Sequence, residues 1–463
     1  MPTDLNAPIT EGGLRHIPFF NGRVLTAEDL ETEQNANAVE RKRLGRALGT
    51  GVIEGLFVDR VDDGSANPPS TVTVEPGLAL APSGQVLELP SQVEVSVVSE
   101  IDREATAGTR GKFADCSARE VVMTSGTGAY VLFAEPASEA EGRTPRTRLG
   151  GDGAAGECGA QYRVEGAQLR LVHLDTGDSD LVPESLQTKQ GSQTEVERAF
   201  NESDDSDPKR RSKLRNVLAH VCLRTPSALT DTASLYDTLR RQSRGNAPSP
   251  DGPVDVLRKR AREDPDGAPL DDAVPLCLLY WSGDRIAFVD AWSVRRRVHR
   301  PDPQRPAPVT ARRRAETEAV IFQFQKHIAD LRQRLDFGDR IQLGVEDCFL
   351  FLPPFGTVPN EEGDREGFDI YRFFDSLSTR EYLYVERETL QDLVSEATQF
   401  DSFRTDTEKL VWRYRVREDV QSGGDENSSF VVFTSGFVPH AVEPQYNLSR
   451  WGYANYGPGV AVH

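Results

Sequence analysis

Apolar residues recur at helical spacing in a few stretches and at alternate positions in many short ones. This predicts an α+β, multidomain chain of mostly antiparallel β modules with an N-terminal helix and a central amphipathic helix. The first helix is expected from about Ala27, with Thr26 as N-cap and Glu28 and Asp29 in the first turn, where the helix dipole favours carboxylates. It runs through Leu30, Gln34, Val39, Arg41 and Leu44 to about Leu48, where Gly49 and Gly51 stop it. Ahead of it, Pro18-Phe19-Phe20-Asn21-Gly22 reads as a short strand and turn. Strands are expected over 52–58, 71–80, 86–89 and 93–98, with Pro82-Ser83-Gly84 supplying a turn.

Further along, 130–134 and 162–174 read as strands, separated by a Gly- and Ala-rich loop over 135–159 that is too long for a hairpin turn and suits a surface or a partner. The acidic stretch 192–208 reads as a solvated linker, and 212–222 as a short amphipathic helix. Residues 275–281, 282–284 and 285–290 spell strand, turn, strand. The best helical pattern is 311–335, where Ile321, Phe324, Ile328, Leu331 and Leu335 follow alternating steps of three and four. That spacing suits an intersubunit seam as well as packing on the helix's own core. Strands follow at 348–352, 382–385, 410–416 and 430–433, with a helix over 389–396. The tail 444–463 sets Tyr446, Trp451, Tyr453 and Tyr456 among glycines, a composition expected to dock in a groove of this chain or a neighbour. Five regions result: 1–100, a helix with a small β domain; 101–192, a β module with a long Gly-rich loop; 193–270, an acidic linker with short helices; 271–440, a second β module with the seam helix; and 441–463, a docking tail.

A chain of 463 residues has room for two to four domains at roughly 100–200 residues each. With 73 acidic against 54 basic residues the net charge is -19, which repels polyphosphate, so no nucleic-acid partner is expected. No stretch nears the roughly 20 apolar residues that span a bilayer, and the N-terminus lacks the basic head and apolar run of a secretory signal. Cytoplasmic assembly without stable membrane insertion is the expectation. Cys116, Cys158, Cys222, Cys277 and Cys348 are widely spaced with no CxxC, which suits reduced, buried thiols.

The chemical motifs are weak. Gly151-Asp152-Gly153-Ala154-Ala155-Gly156 matches GxGxxG, but Thr144-Pro145-Arg146-Thr147-Arg148-Leu149 before it is no apolar strand, and 161–164 after it is strand-like. There is no GxxxxGK[ST]. Cys158 with His173 and Cys222 with His220 are the only thiol and imidazole neighbours, and the histidines show no HExxH spacing. The acids Glu202, Asp204, Asp205 and Asp207 read as a solvated run. Arg295, Arg296 and Arg297, with Arg312 to Arg314 beyond the proline-rich loop, suit an acidic face of another subunit or a solvated surface. No catalytic, cofactor-binding or metal-ligating residue is expected, and no cofactor.

The run Phe19-Phe20-Asn21-Gly22-Arg23-Val24-Leu25-Thr26-Ala27-Glu28-Asp29-Leu30, followed by Glu33-Gln34, Glu40-Arg41-Lys42-Arg43-Leu44 and Gly51-Val52-Ile53-Glu54-Gly55-Leu56, resembles the opening of proteins encoded with contractile injection systems, the phage-tail-like particles of bacteria and archaea. Residues 72–80 (VTVEPGLAL) and Gly84-Gln85-Val86 are similar to that family's β segment, in which a PG-x-A turn and a second glycine shape a compact sheet. The likeness covers roughly 17–98, and more loosely 158–171 and 275–297. It implies a structural subunit in or near the baseplate, without catalytic residues, whose partners are baseplate, spike, tube or sheath proteins and copies of itself. The expected contact residues are Ile321, Phe324, Ile328, Leu331, Leu335, Arg295, Arg296, Arg297, Tyr446, Trp451, Tyr453 and Tyr456. The alternatives are an enzyme or toxin cargo of such a particle, or a receptor- or glycan-binding fibre module using Trp451 and Tyr453.

Overall fold

The computed structural model describes residues 10, 13–61, 71–97, 127–145, 158–177, 184–187, 189–190, 193–202, 207–223, 253–263, 269–282, 285–298, 308–335, 343–359, 370–379, 383–385, 387–397, 400–406, 410–416, 430–436 and 438. Helix α1 (Ala27–Leu48) starts at a capping box: the Asp29 N–H donates to Thr26 Oγ1 at 3.1 Å, and the Thr26 N–H donates to Asp29 Oδ2 at 3.0 Å. The Thr26 N–H and the Thr26 hydroxyl, both donating to Asp29 Oδ2, hold that carboxyl below its ordinary value. Strands β1 (Gly51–Gly55), β2 (Val58–Arg60), β3 (Thr71–Val74), β4 (Gly77–Leu80), β5 (Val86–Leu89) and β6 (Val93–Ser96) form two antiparallel sheets, β1-β4-β5 and β2-β3-β6. Each long strand expected over 52–58 and 71–80 is therefore broken in two. The break in the first falls where Gly55 and Leu56 turn left-handed, at φ 57° and 54°. There the two corners cross so closely that a Cβ on Gly55 would lie 1.9 Å from the Pro76 carbonyl oxygen.

The centre is an antiparallel sheet drawn from both halves of the chain. Its hairpin is β7 (Gly128–Pro145) with β8 (Cys158–Leu174). Between the hairpin and the next sheet strands lie α2 (Glu184–Gln187), β9 (Lys189–Gln190), β10 (Gln193–Thr194), α3 (Glu195–Glu202), α4 (Pro208–Cys222) and α5 (Pro253–Glu263). Then β11 (Val274–Trp281) and β12 (Ile286–Asp290) complete the order β12-β11-β7-β8. Since β11 pairs with β7 from Val274 opposite Ala134 to Trp281 opposite Gly128, the regions 101–192 and 271–440 share one sheet and are not separate modules. The loop expected over 135–159 is strand at its two ends, over 135–145 and 158–159: Ala137 lies opposite Gly166 and Glu141 opposite Tyr162, while 146–157 lie outside the described residues. The linker expected over 192–208 begins as helix α3, started by Thr194 and Glu197, whose side chains each bond to the other's N–H, and buried along Val196 and Ala199.

One face of this sheet (Val131, Phe133, Leu278) packs on Val196, Leu214, Leu218 and Leu257 of the helices, and the other (Leu132, Cys277, Leu279) on Val52, Val74 and Leu87 of the N-terminal sheets. Being covered on both sides, β11 reads as an apolar run without alternation.

The remaining elements are α6 (Pro308–Leu335), α7 (Val345–Cys348), β13 (Phe351–Leu352), β14 (Phe355–Pro359), α8 (Ile370–Phe373), β15 (Ser378–Thr379), β16 (Leu383–Val385), α9 (Arg387–Ala397), β17 (Phe403–Arg404), β18 (Leu410–Val416) and β19 (Phe430–Ser435). The strand expected over 348–352 shrinks to β13, because 345–348 close a helical turn with the Phe349 N–H bonded to the Val345 carbonyl at 2.7 Å. A sheet of order β14-β19-β18-β15, with β16 also on β18, is antiparallel except for β15 and β16. No described helix is long and apolar enough to cross a membrane.

Candidate functional site

The three-arginine segment after β12 is part of the interior. It lies against β1, with the Val52 N–H on the Arg296 carbonyl at 2.9 Å and the Val298 N–H on the Val52 carbonyl at 3.0 Å. Arg295 is 1% exposed; it donates to the Leu56 carbonyl at 2.8 Å and to the Gly55 carbonyl, and its guanidinium stacks 4.2 Å from the Phe57 ring. Burial, with the Arg297 charge adding to it, pulls its pKa down to about 10, so the cation persists at neutral pH. Arg296 donates to the carbonyls of Trp292, Ser293 and Cys222. Of the three, Arg297 reaches the surface, paired with Glu318 at 3.2 Å. The expectation that all three face another subunit is corrected for Arg295, whose donors close the left-handed corner at Gly55 and Leu56. The side chains of 312–314 are outside the described residues.

The seam helix is likewise an interior element. Phe324, Ile328 and Leu331 are buried among Phe349, Phe373, Phe374 and Phe433, while Ile321 packs near Leu393 and Val432 on a second side. A third side carries Phe322 against Trp292 at 4.7 Å between ring centroids. The intersubunit alternative is thus corrected for Phe324, Ile328 and Leu331: the chain's own C-terminal sheet covers them. The Leu335 side chain lies outside the described residues.

Between α4, α6 and β12 sits a buried polar cluster. Arg215 donates through Nε to Asp290 and through Nη1 to Asp330, each at 2.7 Å, and Gln323 Nε2 donates to the same Asp290 oxygen at 2.9 Å. Ser212 Oγ lies 2.7 Å from His327 Nε2 and 3.2 Å from the Cys348 carbonyl. That reach would suit a nucleophile and its base. Here the hydroxyl is 3% exposed and shared with a carbonyl, which makes it a link between two helices and the α7 turn. Cys222 and His220, two residues apart in sequence, are not poised for reaction: burial pushes the thiol up to about 12 and the imidazole down to about 3, with the Arg404 charge adding to the latter. Cys277 and Cys348 are buried and free, with their thiols also pushed up by burial.

Among the described residues, exposed apolar side chains gather in two stretches, apart from Ile53, Val86 and Leu410. The first is the N-terminal segment and α1. Phe19 is 63% exposed, Phe20 65%, Val24 83% and Leu44 68%, and Leu30, Leu44 and Leu48 share one helical face within about 40°. Buried α1 residues are only Ala36 and Gly45, among those described. At Gly45 a Cβ would fall 2.0 Å from the Gly84 carbonyl oxygen, so the helix rests backbone to backbone on the 82–84 turn. The segment before the helix is fastened to it by the Ile17 N–H on Glu33 Oε2 at 3.0 Å and by Arg23 on Asp29 at 2.9 Å. Instead of the expected strand and turn over 18–22, it has a turn at Asn21-Gly22 without a strand.

The second outward feature is the far half of the β7–β8 hairpin. Residues 138–144 and 160–166 are exposed on both faces, and Tyr162 and Val164 stand 61% and 46% open. β8 is the edge of its sheet. Of the residues proposed from sequence as contacts, Tyr446, Trp451, Tyr453 and Tyr456 lie outside the described residues, as do Cys116 and the GxGxxG run. The exposed apolar positions of α1 and of the hairpin were not among those contacts; the signal for them was Leu30, Leu44 and Leu48 on one side of a helix with few other apolar residues. No protein-family model and no curated protein matches the chain.

Proposed function

We propose that the chain is a structural subunit of a contractile injection particle, in or near the baseplate, working through contacts with neighbouring subunits and with copies of itself. The observation that carries this reading is the exposed apolar band of residues 19–48: a helix that buries two described residues against its own chain presents leucines to solvent, and the segment before it presents Phe19 and Phe20. The first run of residues that bears the resemblance, 19–56, forms this band and the strand that follows it. In the described interior, polar groups are spent on joining layers, through Arg295 and Asp290, which suits a part whose task is to hold geometry.

The test is purification of assembled particles from cells that make the tagged chain with its neighbours. A baseplate subunit stays at fixed stoichiometry to the sheath and tube proteins through salt and detergent washes. A substoichiometric, washable chain would replace this reading with that of a cargo. Phe20→Asp with Leu44→Asp should abolish incorporation while leaving the unfolding temperature of the isolated chain unchanged, since neither side chain is buried.

A further inference from the structure

We propose that the β7–β8 ribbon pairs with the same ribbon of a second copy, β8 edge against β8 edge in antiparallel register, about a twofold axis at Val164. Eight residues of β8, 159–166, extend beyond the cores as one strand of a two-stranded ribbon, about 25 Å long at roughly 3.3 Å per residue. A two-stranded ribbon with water on both faces is marginal by itself, and an open edge strand is a template for another strand. Charged or proline residues commonly guard such an edge, and here the guards are one cation and one anion, Arg163 and Glu165, both exposed.

Their order selects the partner. In a twofold antiparallel pair, residues facing each other must have side chains on the same sheet face, so their numbers differ by an even amount. An axis at Arg163 sets arginine against arginine, and one at Glu165 sets glutamate against glutamate; axes at Tyr162 or Gly166 leave both charges without a partner. With the axis at Val164, Arg163 faces Glu165 of the second copy, and Glu165 faces its Arg163. On the opposite face Val164 meets Val164, and each Tyr162 ring covers Gly166, whose added Cβ would meet nothing within 4 Å. Two opposite-charge pairs and an apolar centre favour one register out of five, the pairwise logic that stabilises sheets. Four ribbon strands then form one continuous sheet across the dimer.

The inference deepens the assembly reading and rests on it for taking a second copy as the partner, but the two fail separately. Sedimentation equilibrium of the full chain reads the pairing; stoichiometry in the particle reads the role. Glu165→Arg, which creates two arginine pairs, should weaken dimerisation at least tenfold, Arg163→Glu should do the same, and the swap of both, Arg163→Glu with Glu165→Arg, should restore it to within about threefold. At concentrations low enough for all to be monomeric, circular dichroism and unfolding temperature of each variant should equal those of the unmodified chain, because both positions are exposed on the ribbon. A chain that is monomeric up to high micromolar concentration, or single variants that dimerise as before, overturns the pairing. A swap that fails to restore what each single change removed overturns this register.

Discussion

Arg295→Met tests whether the N-terminal sheets are held to the central sheet by a buried cation. The side chain supplies charge-assisted hydrogen bonds to the carbonyls of Gly55 and Leu56, at a corner where both residues are left-handed, and lies over Phe57. Two such bonds are worth about 1.5–3 kcal/mol each, and a desolvated cation over a ring about 2 kcal/mol. Methionine regains about 1.5–3 kcal/mol of apolar burial but leaves two carbonyls unanswered. The net loss should be about 3 kcal/mol. It is read from the midpoint and slope of urea unfolding followed by tryptophan fluorescence, where Trp292 lies 5.6 Å from this guanidinium. Arg297→Met is the control: half-exposed and paired to Glu318, it should cost under about 1 kcal/mol. If the two variants lie within about 1 kcal/mol of each other, the arginine is not the joint between these layers.

Two further outcomes follow from the same interior and a third from the cap of α1. His220 is held at about 3 by burial, against about 6.5 when unfolded, so the unfolded chain takes up a proton first; stability should fall by about 2 kcal/mol from pH 6.5 to 5. His220→Phe, which keeps the stack on Phe351, should remove that part of the slope in urea unfolding at the two pH values. Phe324→Ala should cost about 3–5 kcal/mol in the isolated chain, because Phe349 and Phe433 each pack 5.3 Å away; a helix used only between subunits would show no loss without its partner. Thr26→Ala removes one arm of the capping box and should lower stability of the first turn by about 1 kcal/mol, visible as faster amide exchange at residues 27–30 with no change at 40–48.

Local chemistry made some elements legible. The limits of α1 follow from Thr26, Asp29 and Gly49, all within a turn of the helix ends. β18 is readable because Val411 on one face and Tyr414 and Val416 on the other are apolar and buried in a short, bounded run. What could not be read is set by distance along the chain. The period of α6 announces an apolar stripe but not which surface covers it, and the cover comes from residues 349–433. Arg295 looks like one of three surface arginines until Leu56, 239 residues away in sequence, is placed beside it. Residues 138–144 bury neither face, so this arm of the ribbon carries no alternation against a core and reads as a loop, whereas 162–166 is legible as the outer end of the strand 162–174; backbone pairing keeps the first arm extended.

The distribution of polar and apolar groups runs opposite to what stability alone would ask. Charged and hydrogen-bonding side chains sit at the joints between layers: Arg295 between the N-terminal and central sheets, and Arg215, Asp290 and Gln323 among α4, β12 and α6. A buried ion pair adds little net stability, because desolvation offsets attraction, but removing one member is costly, so such a pair selects one arrangement of its layers over others. Apolar residues meanwhile stand in water on α1 and on the ribbon, where leaving a leucine or phenylalanine uncovered forgoes about 1.5–3 kcal/mol each. This distribution is what the proposed assembly asks for, since there other subunits would cover the apolar groups that the chain withholds from its core. In the assembly proposed above, the joints would hold the N-terminal band and the ribbon in a set relation, so Asp290→Asn should lower the chain's stoichiometry in purified particles without touching either surface.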